Sequence, residues 1–190
     1  VSFSYEEWEK EFAPKLKDTM RWEGYSFIAK RLSRVASPRI VETGCIRTES
    51  DWAGNGQSTL QWQWMAQQDE AIEVESVDID PKNCVLAERL CPNVWIHNSD
   101  SIEFLSTKAM REPDLLFLDS YDHDPPYGPS ELHAVGELAC VWDRLKSGCM
   151  IAVDDCNGDG TGKHYLIRHF FDRMGIKPAV ASYIHVWIKP

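Results

Sequence analysis

The residues whose types and spacing could do chemistry in this chain are acids that fall where apolar runs end. They are Glu42, Asp78, Asp100, Asp119 and the adjacent pair Asp154 and Asp155. Any one of them could cap a following helix or solvate a strand end. Gathered on one rim, however, they would repel one another, and something positive must offset that repulsion. A cationic ligand, a metal ion, or both would serve. A nucleotide held by its phosphates would instead want a glycine-rich turn with few carboxylates nearby. The first apolar run is followed by Thr43, Gly44 and Cys45 and later by GNGQST at 54–59, and neither GxGxxG nor GxxxxGK[ST] is present.

The elements that must position these acids are legible as short apolar runs alternating with amphipathic segments. RIVETG (39–44), IEVESVDID (72–80), VWIHN (94–98), DLLFLD (114–119) and CMIAVDD (149–155) read as five buried parallel strands joined by crossover helices over 57–68, 81–91, 101–109 and 130–146. Ligands of such sheets bind outside the carboxyl ends of the strands, where the acids lie. Before the sheet, Ser4 and Glu7 form a capping-box signature. Apolar residues from Trp8 to Leu32 recur at helical spacing, with Pro14 as a break, and predict two helices. A further helix is expected over 163–174, ending at Gly175. The β-rich tail from 176 is too short for another crossover and should form a hairpin-like pair of strands at one sheet edge.

Composition bounds the rest. The chain has 190 residues, the size of one α/β domain, and 43% hydrophobic residues with eight tryptophans exclude disorder. Thirty acidic against twenty basic residues give a net charge of −10, which argues against nucleic acid and anionic membranes as partners. The six cysteines contain no CxxC pair, and neither a membrane span nor a signal peptide is discernible, so reduced thiols in the cytoplasm are expected. The oligomeric state, a homodimer included, is left open.

The ordered set VETG (41–44), GNGQST (54–59), VDIDP (77–81), HNSDS (97–101), LLFLDS (115–120) and LKSGCMIAVDD (145–155) resembles the successive motifs of class I S-adenosylmethionine-dependent methyltransferases, over about 38–175. The resemblance implies a single Rossmann-like α/β domain over 1–190, with N-terminal helices in 1–37 and the core in 38–190. Its sheet would be mostly parallel and seven-stranded, with an antiparallel C-terminal edge strand and helices on both faces. It also implies that Glu42, Gly44 and the Gly56–Ser58 turn lie beside the methionine half of the cofactor, that Asp78 accepts from the ribose hydroxyls, and that Asp100 and Ser101 border the adenine. From the residues alone, Asp78 could instead cap the helix that opens at Pro81, and Ser101 could cap the helix it begins.

Within that superfamily the metal-dependent O-methyltransferases, of catechol type and of macrocin and novobiocin sugar type, are the nearer resemblance. They carry an aspartate ending the fourth strand and a second followed by Asp or Asn ending the fifth, and here Asp119, Asp154 and Asp155 stand at those places. Three carboxylates without His or Cys describe a hard oxygen site suited to Mg²⁺, Mn²⁺ or Ca²⁺, magnesium first. Asn157 and Asp159 could support that shell or simply form a turn. The catechol enzymes use a lysine three residues after the fourth-strand aspartate. This chain has Asp122 there, which favours a sugar- or polyol-like small-molecule acceptor. Candidate proton acceptors are Asp119, Asp122 and His123. The loops 45–55, with Trp52, and 121–130, with Tyr121 and Tyr127, should shape the acceptor pocket, their aromatics either stacking on the acceptor or pinning the loops. The GTGK segment at 160–163 reads as the start of the last crossover helix. Two rival readings are a cofactor-binding module without catalysis and, given the acid after the second strand, a nicotinamide-dependent oxidoreductase.

Overall fold

The computed structural model describes residues 3–55, 57–107, 111–123, 128–157 and 160–190. Helix α1 (Tyr5–Leu16) opens on the expected capping box, Ser4 Oγ accepting from the Glu7 N–H at 3.2 Å, and buries Trp8, Phe12 and Leu16 at four-residue spacing. Pro14 does not break it: it falls in the last turn, and the helix ends two residues later. Helix α2 (Trp22–Leu32) stacks against α1 through Trp8 and Trp22, ring centroids 5.6 Å apart.

Strands β1 (Arg39–Thr43), β2 (Glu73–Asp78), β3 (Trp95–Asn98), β4 (Leu115–Leu118) and β5 (Met150–Val153) are mutually parallel, and the sheet order is β3-β2-β1-β4-β5-β7-β6. The tail forms β6 (Val180–Ala181) and β7 (His185–Ile188). The reversed strand is β7, which pairs antiparallel with β5 and with β6, so the short β6 makes the edge. One expectation fails at the opposite edge: β3 is not buried, and Trp95 is 56% exposed, because a strand paired on one side only is open to solvent.

The crossovers are α3 (Ser58–Gln68), α4 (Pro81–Leu90), α5 (Ser101–Ser106), α6 (Pro129–Val141) and α7 (Tyr165–Arg173). Two of them are shorter than the sequence suggests. Helix α5 ends at Ser106, positions 108 and 109 of the expected 101–109 helix lying outside the described residues, and α6 gives way to a 3-10 turn at Trp142–Arg144. Strand parity sends alternate side chains to two cores. Leu115, Phe117, Met150 and Ala152 meet α1 to α4, whereas Leu116, Leu118, Ile151 and Val153 meet α5, α6 and α7. The chain steps outward from β1 to β3 and then returns to β4 on the other side of β1, which opens a crevice at the carboxyl ends of β1 and β4.

Candidate active site

Gly44 floors that crevice. Its φ is +81°, and a Cβ there would sit 2.5 Å from the Asp119 carbonyl oxygen, so only glycine lets the ends of β1 and β4 come this close. Two cavities of about 330 and 220 Å³ open above it, both lined by Gly44, Asp78, Ile79 and Ser120, and together they form one two-chambered trough. The larger chamber also meets Gln57, Ser58, Asp119 and Asp122; the smaller meets Asp100, Ser101, Tyr121 and His133.

Asp78 stands where the chambers join. Its carboxylate accepts from the Cys45 N–H at 3.1 Å and the Asp80 N–H at 2.8 Å, which fix its orientation. It does not cap the next helix, since the α4 N-cap is Asp80, accepting from the Lys82 N–H at 2.9 Å. At the far end the capping role also moves by one residue. Asp100 caps α5 through the Glu103 N–H at 3.0 Å, and the Ser101 hydroxyl is freed to bond His133 Nε2 at 2.9 Å. Donation to the Glu137 carboxylate raises the pKa of His133, against its partial burial.

Other expected site residues are placed differently. Glu42 lines neither cavity. It is fully buried and accepts from Thr59 Oγ1 at 2.8 Å, Trp62 Nε1 at 2.8 Å and Ser76 Oγ at 2.6 Å, binding β1 to α3 and β2. Burial pushes its carboxyl up to about 7 despite these donors. Its contribution to the trough is indirect, through the start of α3, where Ser58 follows Gln57 in a left-handed conformation (φ 54°). Gly56, Asp159 and Tyr127 lie outside the described residues. Asp122 lines the larger chamber but is exposed and paired with Arg47 at 2.6 Å. His123 lines neither chamber; its Nδ1 meets Ser130 Oγ at 2.9 Å, at the start of α6. Trp52 pins its loop to α1, 5.8 Å from the Phe12 ring.

Asp119, Asp154 and Asp155 do converge, offering ligand oxygens within 4.8 Å of one another. Two buried cations converge with them. Arg21 Nε meets the Asp154 oxygens at 3.0 and 2.8 Å, and its NH2 meets Asp155 Oδ1 at 3.0 Å. The guanidinium lies 4.6 Å from the centroid of the Tyr183 ring, whose hydroxyl donates to Asp155 Oδ1 at 3.0 Å. From the other side Lys163 Nζ reaches Asp119 Oδ1 at 2.6 Å and Asp155 Oδ2 at 2.8 Å. Arg21 is 5% exposed, Lys163 2% and Asp154 0%.

Three carboxylates against two cations leave one negative charge over, and the proton affinities follow. Burial, then the facing Asp119, push Asp154 up to about 7 although Arg21 opposes them. Asp119 is likewise raised by burial, in spite of Lys163. Burial would raise Asp155 too, but Lys163 and Arg21 outweigh it and hold that carboxyl below its ordinary value. Lys163 is desolvated, yet Asp119 and Asp155 more than compensate and raise it, so the ammonium stays protonated.

The donor set has the hard-oxygen chemistry of a magnesium site, which needs carboxylate oxygens about 2.0–2.1 Å from the ion. Here Asp119 and Asp155 each give an oxygen to Lys163, and both Asp154 oxygens face Arg21 Nε. So arranged, the residues do not fit a divalent ion.

Sequence reasoning missed Arg21 and Tyr183, which lie far along the chain from Asp154 and Asp155, and it missed His133 and Glu137, a pair one turn apart on α6 whose link to the site is Ser101, 32 positions from His133. Lys163 did carry a local signal. Gly162, directly before it, has φ +123°, and a Cβ there would collide with the Asp155 carbonyl oxygen, the mark of a chain doubling back rather than of a helix start; α7 begins only at Tyr165.

Neither a protein-family model nor a curated protein matches the sequence. Solved structures match in three dimensions. MycE, a methyltransferase of the mycinamycin biosynthetic pathway in complex with Mg and SAH, aligns with TM-score 0.65 at 14% identity, over 97% of this chain and 54% of MycE. A methyltransferase from Geobacter sulfurreducens aligns with TM-score 0.58 at 15% identity, over 97% and 85% of the two chains. A provisionally assigned O-methyltransferase from Klebsiella pneumoniae aligns with TM-score 0.57 at 16% identity, over 86% and 79%. The chain therefore has the Rossmann-like fold of class I methyltransferases and spans about half the length of MycE. No helix among the described residues is long and apolar enough to cross a membrane.

Proposed function

We propose that this chain is an S-adenosylmethionine-dependent methyltransferase acting on an oxygen of a small hydroxylated acceptor, a sugar, polyol or phenol-like molecule. The observation that carries the reading is the two-chambered, acid-lined trough that meets at Asp78 over the β1/β4 crevice. Asp78, oriented in advance by backbone N–H groups, is the acceptor for a ribose diol. Asp100 and Ser101 border the smaller chamber as adenine partners, and Gly44 leaves the space between.

When bound, S-adenosylmethionine supplies an electrophilic methyl group on a sulfonium centre. The protein's part is then alignment and removal of the acceptor's proton. Asp119 lines the larger chamber; Lys163 holds its Oδ1, and Oδ2 accepts no hydrogen bond from the described residues. That oxygen takes the hydroxyl proton as the acceptor oxygen bonds to the methyl carbon and the carbon–sulfur bond breaks, leaving a neutral thioether. Burial raises the proton affinity of Asp119, which strengthens it as a proton acceptor. The magnesium ion expected from the sequence has no place in this step, because Lys163 and Arg21 hold the oxygens that would ligate it.

The test is transfer of a labelled methyl group to a panel of sugars, polyols and phenols. Label should appear in one acceptor class, and Asp119→Asn should slow it by about 100-fold or more. Cofactor binding with no transfer to any oxygen acceptor would favour the non-catalytic module instead.

A further inference from the structure

The acids that in the resembling enzymes hold a divalent ion here surround a lysine. We propose that Lys163 takes the place of that ion, so that its ammonium supplies the cluster's positive charge, positions Asp119, and leaves the protein independent of divalent metal. The proposal deepens the methyltransferase reading and, for the role of Asp119, rests on it.

Two observations carry the inference. The first is occupancy: the ammonium lies 2.6 Å from Asp119 Oδ1 and 2.8 Å from Asp155 Oδ2, and Arg21 spans the remaining acid, Asp154. A dication among these oxygens would face two buried monocations, which it could accommodate only by expelling the lysine. The second is construction. Asp155 has φ 55°, a left-handed conformation rare for a residue with a side chain, and it starts a reversal that returns the backbone to Asp155 itself. The return is fastened by the Cys156–Gly162 bridge, by the Asn157 N–H to the Thr161 carbonyl at 2.8 Å and by the Lys163 N–H to the Asp155 carbonyl at 3.3 Å. Gly162 is required, because a Cβ there would collide with the Asp155 carbonyl oxygen. The reversal carries the Lys163 side chain into the cluster.

Lys163 is sealed beneath Asp119 rather than exposed to the trough, so it is a positioning residue. It fixes one oxygen of Asp119 and leaves the other for the acceptor. Orientation of the acceptor then depends on a hydrogen bond to a carboxylate instead of chelation.

The experiment is titration of Mn²⁺, followed by its electron paramagnetic resonance signal, into chelator-treated parent protein, Lys163→Arg and Lys163→Met. Parent and Lys163→Arg should leave the free-ion signal intact at equimolar metal. Lys163→Met, which removes the ammonium and keeps the bulk, should gain a site that quenches the signal stoichiometrically. Uptake of one Mn²⁺ by the parent would overturn the proposal, and so would a folded Lys163→Met that gains no affinity. If that variant does not fold, the parent titration decides alone. Binding of S-adenosylmethionine is measured on the same chelator-treated samples. Its absence would remove the methyltransferase reading while the Mn²⁺ result still decides what cation the cluster holds.

Discussion

Two groups of aspartates end strands of one sheet and are put to opposite uses. Asp78 and Asp100 face open space and are held by backbone N–H groups, neutral donors that orient a carboxylate without cancelling its charge. Asp154 and Asp155 face Arg21 and Lys163, full charges that consume them. Asp119 belongs to both groups, one oxygen on Lys163 and its outer face in the trough. The difference teaches that the acid is not itself the signal of a ligand. What faces the acid decides whether it waits for a cation from outside or has one built in.

The largest expected effect breaks the sealed group. Arg21→Met leaves Asp154 buried without its partner, a loss of about 3–5 kcal/mol, which lowers the melting temperature by roughly 10 °C. A change within a degree or two would mean that the guanidinium and Asp154 are not a buried pair. A smaller effect sharpens the contrast with a third kind of buried acid, Glu42, which faces hydroxyls and an indole N–H and no cation. Its folded-state pKa of about 7 stands above the ordinary 4.5, so the folded protein binds this proton more tightly than the unfolded chain. That contribution is full below about pH 4.5 and is lost as pH rises through 7, with a slope of about 1.4 kcal/mol for each pH step of one between those values. Glu42→Gln should flatten the fall in stability between pH 4.5 and 7, measured by denaturant titration at several pH values. An unchanged slope would assign the pH dependence to other groups.

Much of this was legible in the sequence, for identifiable reasons. Five apolar runs had to be strands, and their acidic ends had to share a rim once crossovers made the strands parallel. Strand parity also held information: Glu42 shares a face with Ile40, and that face meets α2 and α3 rather than the crevice. The same parity sends Asp154 toward the α2 side, where Arg21 stands at the helix start. What could not be read is which cation meets which acid. Arg21 and Asp154 are 133 positions apart, and nothing local marks the arginine. Tail order was beyond reach for a similar reason, since only three-dimensional pairing puts β7 between β5 and β6.

If the open aspartates bind S-adenosylmethionine while the sealed ones already hold their cations, the cofactor should bind without any added metal. Calorimetric titration of the cofactor into parent and Asp78→Asn protein, with EDTA present throughout, tests this most directly. One-site binding by the parent in EDTA is the expected result, weakened about 10- to 100-fold in the variant by loss of charged hydrogen bonds to the ribose. No binding by the parent in EDTA, or equal affinity in the two proteins, would contradict it.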